Sequence, residues 1–210
     1  MSNDIAYPVF RTPDLDLALN TARRLMEFGS REDSRVTVYA ELCSVAEVQR
    51  MARKLPQGQY AGDFDYREVD GVPREQWPPL VAGLSGPDLP NDPAVYEGRL
   101  PVTCELDGLP IGSIEDAFAT AIGPSSGWIN WEWLCWPDAP ELDFLGERKH
   151  AEVSLLLNTR TRELDEPAAD HTVLLHVRSV CIDGREGREP YAHWLAEQVG
   201  LTVIGPGELW

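Results

Sequence analysis

The sequence predicts an α+β fold: a largely antiparallel sheet of short strands with about four helices packed mainly on one face. Three observations lead there. Several short segments alternate apolar and polar residues as strands do, and apolar residues return at helical spacing in four places. Most neighbouring strand segments also follow one another without a helix between them, which favours antiparallel pairing. The 210 residues are read as one domain, long enough for a substantial core, with a proline-rich loop at about 71–98.

Thr12, Pro13 and Asp14 make a helix start, with a hydroxyl cap, a proline in the first turn and an acid at the positive end of the dipole. Leu15, Ala18, Leu19, Ala22, Leu25 and Met26 supply the apolar face and Gly29 the stop. Arg35–Leu42 alternates as a strand, and Ser44 with Glu47 forms a capping box for a second helix to about Lys54. Phe64–Val69 reads as a strand. The following prolines, from Pro73 to Pro93, suppress regular structure, although Trp77, Leu80, Val81 and Leu84 point to a packed loop or short helix.

Leu100–Leu106 is predicted as a strand, Asp107–Pro110 as a turn, and Ser113 as the cap of a helix bearing Ile114, Ala117, Phe118, Ala121 and Ile122. Trp128–Trp136 has strand composition, with Ile129, Trp131, Trp133 and Cys135 on one face. Ala151–Leu157 and Thr172–Arg178 follow as strands, then a helix from about Pro190 to Val199 and a terminal strand at Leu201–Ile204.

Composition excludes several classes. Hydrophobic residues make up 43% and charged residues 25%, ordinary globular values that remove fibrous and wholly disordered readings. The net charge of −17 repels nucleic acid and anionic lipid, so neither is an expected direct partner. Met1–Arg11 lacks a signal-peptide pattern, and no apolar run approaches the about 18–20 residues that span a bilayer. The expected location is the cytoplasm. Cys43, Cys104, Cys135 and Cys181 form no close pair, which fits buried free thiols.

The charge is unevenly spread. Residues 1–60 hold 8 acids and 8 bases, whereas residues 61–146 hold 16 acids and 3 bases. That middle segment also carries five of the seven tryptophans. In the expected strand, Asp63 and Asp65 share one face roughly 6.6–6.8 Å apart, with Glu68 and Asp70 on the other. Glu75, Trp77, Asp88, Asp92 and Glu97 extend the acidic, aromatic character through the loop. Trp128 and Trp136 share the face of Glu132 and are candidate exposed anchors.

These residues suggest a binding or inhibitor protein that covers a basic protein surface. A toxin or nucleic-acid-binding protein would be the partner, as for an immunity protein or a nucleic-acid mimic. A solvated acidic surface that maintains solubility is the plainer reading. The sequence contains no EF-hand spacing, glycine-rich phosphate loop or nucleophile elbow, so no cofactor or metal is assigned.

The alternative is an enzyme or small-ligand protein with a pocket on the sheet. If the strands after residue 149 pair with their apolar rows on one face, His150, Glu152 and Ser154 share the other with His176 and Arg178. One register sets Glu152 opposite His176. Such a pair suits acid/base work, or two histidines and a carboxylate around a metal, although an exposed cross-strand ion pair would look the same. Cys43, ahead of the helix capped by Ser44, is the candidate thiolate nucleophile.

Overall fold

The computed structural model describes residues 4–178 and 189–210, in which nine strands form one antiparallel sheet. They are β1 (Asp4–Thr12), β2 (Arg35–Leu42), β3 (Gln59–Gly62), β4 (Leu84–Ser85), β5 (Val102–Pro110), β6 (Gly127–Glu132), β7 (Glu152–Thr159), β8 (Pro167–Arg178) and β9 (Glu208–Leu209). Their spatial order is β4-β3-β5-β2-β6-β7-β8-β1-β9. The helices are α1 (Leu15–Phe28), α2 (Val45–Lys54), α3 (Pro79–Ala82), α4 (Glu115–Ile122) and α5 (Glu189–Gln198). The fold is α+β, as the sequence indicates.

Strand alternation divides the sheet into two unlike faces. Val36, Val38, Ile129, Trp131, Val153, Leu155, Val173 and Leu175 join Leu25 and Met26 of α1, Met51 of α2, Phe118 of α4 and Tyr191 and Leu195 of α5 in one core. The opposite face has only a small apolar cluster, Ala6, Leu156 and Leu174, with Trp128 and Trp210 against it. Between those apolar residues it carries a row of polar ones. Among the described residues, no helix is long and apolar enough to cross a membrane.

Several local expectations are corrected. The cap of α1 is Asp14, which accepts from the Leu17 N–H at 3.0 Å, while Thr12 Oγ1 accepts from the Asp14 N–H. Phe64–Val69 is not a strand: Asp65 caps a single 3-10 turn at Tyr66–Glu68, and the Glu68 carboxylate returns to the Asp65 N–H. The supposed strand face of Asp63 and Asp65 therefore does not exist. Asp107–Pro110 continues β5 beyond a bulge opposite β2.

At α4, Ser113 bonds the Pro110 carbonyl and does not cap the helix. The buried Glu115 carboxylate instead accepts from the Gly112 and Ile114 N–H groups and from Trp131 Nε1. Residues 201–204 form no strand: the Leu201 N–H donates to the Ala196 carbonyl and the Ile204 N–H to the Pro8 carbonyl, and the terminal strand is β9. The 71–98 loop is packed, with Leu80, Val81 and Tyr96 buried. Of the cysteines, Cys104 is buried, Cys135 half-buried and Cys43 exposed; Cys181 lies outside the described residues.

Candidate functional site

β7 and β8 pair in the register that sets Glu152 opposite His176, and β1 lies on the far side of β8 with Ala6 opposite His176 and Asp4 opposite Arg178. The alternation that sends Val153, Leu155, Val173 and Leu175 into the core turns Glu152, Ser154 and His176 to the open face. These polar groups are not an exposed ion pair. His176 is 0% exposed, and burial, followed by the Arg162 charge, holds its pKa down at about 3. It is a neutral imidazole at physiological pH.

A continuous hydrogen-bond chain fixes its orientation. Asn130 Nδ2, from β6, donates to Glu152 Oε2 at 2.9 Å and to Glu132 Oε1 at 3.3 Å, which turns its Oδ1 toward Ser154. The Ser154 hydroxyl donates to that oxygen at 2.7 Å and lies 2.8 Å from His176 Nε2. A hydroxyl has one proton. With that proton on Asn130, His176 must donate from Nε2, and its Nδ1 keeps a lone pair. That Nδ1 is buried and has no hydrogen-bond partner among the described residues.

Burial raises the Glu152 pKa, with Glu132 adding to the rise, while Asn130 and Arg162 work against it. Asp4 and Glu152 each bring a carboxylate oxygen, and His176 a ring nitrogen, to within 4.8 Å of one another. His150 Nδ1 contacts Asp4 Oδ1. Trp210 stands edge-on to the His176 ring, centroids 4.7 Å apart, and the Arg162 guanidinium lies 4.9 Å from the Trp210 ring centroid.

Beside this cluster opens a cavity of about 670 Å³ whose walls include Glu132, Glu152, His150, Trp133, Arg148 and Lys149. Its lining mixes acids and bases around an exposed indole.

The remaining candidate residues are placed as follows. Asp63, Asp65, Glu68, Asp70, Glu75, Asp88, Asp92 and Glu97 are all exposed, the first five between β3 and β4 and the last three between β4 and β5. Trp77, also between β3 and β4, tilts against Phe64 and donates to the Val72 carbonyl. Other acids of the middle segment lie elsewhere, among them Glu115 in the core, Glu132 at the cavity, and Glu141 against Trp194 of α5.

Trp136 is not an exposed anchor; it is 0% exposed and donates to the His176 carbonyl. Trp133 takes the outward position, at 68% exposed, because β6 ends at Glu132 and Trp133 adopts a φ of 62° that breaks the alternation. Trp128 is half-buried and stacks on Tyr39. Cys43 is a poor nucleophile here, since partial burial and the Glu47 and Glu41 carboxylates push its thiol pKa up.

Asp4, Asn130, Arg162 and Trp210 escaped the sequence reading. Asn130 alone carried a signal, its place on the Glu132 face. Comparison with protein-family models, with curated proteins and with solved structures finds no match to the chain.

Proposed function

We propose that this protein binds a small polar ligand in the open-face cavity, with Glu152 and His176 at the chemical centre of the site. The observation that supports this is the buried polar chain Glu132–Asn130–Glu152 and Asn130–Ser154–His176 alongside that cavity. Buried polar networks and displaced pKa values are costly to keep and cluster at functional sites. The cavity volume of about 670 Å³ falls among those of small-molecule sites.

The walls favour a ligand of mixed charge. An amine or other donor would meet Glu132 and Glu152, and a carboxylate or phosphate would meet Arg148 and Lys149. Thermal-shift screening of amino acids, polyamines and other zwitterions tests the reading. Stabilisation by such a compound that is lost in Glu132→Gln supports it; no stabilisation, or stabilisation indifferent to that change, counts against it. The site is compatible with acid/base chemistry, and the free thiols fit a cytoplasmic setting.

A second reading, favoured by eight exposed acids on the two connections that flank β4, is docking of a basic protein partner there. Complementary charge would speed association and make it sensitive to salt. The test is affinity for cationic nucleases at rising salt, and salt-indifferent or absent binding removes it.

A further inference from the structure

We infer that Asp4, Glu152 and His176 bind a divalent transition-metal ion of the Mn²⁺, Fe²⁺ or Zn²⁺ kind on the open face. The inference rests on the reading of that face as a ligand site and names the ion that would complete it.

The three donor atoms lie within 4.8 Å of one another. Around one ion at bond lengths of about 2.0–2.2 Å the donors would stand about 3–3.6 Å apart, so side-chain shifts of up to about an ångström would close them on it. One imidazole with two carboxylates suits borderline transition metals; an all-oxygen shell would be expected for Mg²⁺ or Ca²⁺. Three protein ligands also leave coordination positions open, and one of the three, Glu152, lines the cavity.

The independent observation is His176 itself. It is wholly buried, and its Nδ1 lone pair has no partner among the described residues. An unsatisfied buried acceptor is destabilising, and a bound cation removes that penalty.

The outer contacts also have the form of a metal site. A metal-bound histidine commonly donates its second ring N–H to a neighbouring group, and ligating carboxylates are themselves hydrogen-bonded. Here His176 Nε2–H goes to Ser154 and Asn130 donates to Glu152, while His150 Nδ1 lies in contact with Asp4 Oδ1. Two of the three ligands, His176 and Glu152, are thus oriented by hydrogen bonds to different neighbours. The two carboxylates also sit close together on a partly buried surface, a repulsion that a divalent cation offsets.

The experiment is calorimetric titration of chelator-stripped, tag-free protein with Zn²⁺ and with Mn²⁺. Wild type is expected to bind one ion per chain. His176→Gln and Glu152→Gln should each weaken binding by at least about tenfold, and Cys43→Ser should leave it unchanged. Protein loaded with Co²⁺ should show no thiolate-to-metal charge-transfer absorption.

If those two variants fail to fold, Asp4→Asn, at the half-buried start of β1, carries the same expectation of about tenfold loss. Absence of a stoichiometric ion, or binding untouched by Asp4→Asn and His176→Gln, overturns the inference. A zwitterion that still binds in excess EDTA would in that event leave the cavity reading standing; failure of both would remove both.

Discussion

Trp136 holds His176 from behind: its indole N–H donates to the His176 carbonyl at 2.8 Å, with both residues fully buried. The imidazole faces the open side of the sheet while its own backbone is fastened from the helix-packed side. Trp136→Phe keeps most of the apolar volume and deletes that bond. Loss of that buried hydrogen bond should cost about 0.5–1.5 kcal/mol in urea unfolding, with altered His176 ring resonances in NMR spectra of the folded variant. A variant of wild-type stability with an unmoved His176 would show that the bond contributes nothing.

Ser154→Ala is expected to cost about 1–3 kcal/mol, because it strips partners from His176 Nε2–H and Asn130 Oδ1 at once. It also frees the histidine to change tautomer. Nitrogen NMR of wild type should report the proton on Nε2; a proton on Nδ1 would contradict the hydrogen-bond chain.

Glu115→Ala should rank among the more damaging single changes outside the site. Its carboxylate, 2% exposed, accepts from two backbone N–H groups ahead of α4 and from Trp131 Nε1 in the core. At least about 1–3 kcal/mol should be lost. Glu115→Gln, which keeps one acceptor oxygen, should lose less, and equal losses would mean that packing dominates.

Acid should destabilise the fold partly through His171. It is 6% exposed, and burial lowers its pKa while Asp170 and Asp14 oppose the shift. A histidine with a lowered folded pKa takes up fewer protons than the unfolded chain. Its contribution is complete above its unfolded value, about 6.5, and is lost as pH falls below that. Melting temperatures of wild type and His171→Gln should therefore draw closer together as pH drops from about 7 toward 5. Parallel curves would clear His171 of this role.

Legibility differed along the chain for physical reasons. The β7–β8 register could be read because a one-residue slip would turn Val153, Leu155, Val173 and Leu175 out of the core. The same alternation failed after Glu132, where the positive φ of Trp133 exchanged the expected exposures of Trp133 and Trp136. Phe64–Val69 misled because Phe64 and Tyr66 alternate with Asp65 and Arg67 as in a strand, while local capping by Asp65 won. Asp4 had no local signal at all: β1 contains Pro8 beside a bulge in its pairing with β8, and its neighbours come from the distant end of the chain.

That threading of β1 between β8 and β9 has a kinetic corollary. Asp4 meets Glu152 and His176 only after the earliest strand has been captured by late ones, and contacts so remote in sequence close slowly. A partly synthesised or partly folded polypeptide would carry the pieces of the site without its geometry, so binding competence should emerge last and all at once.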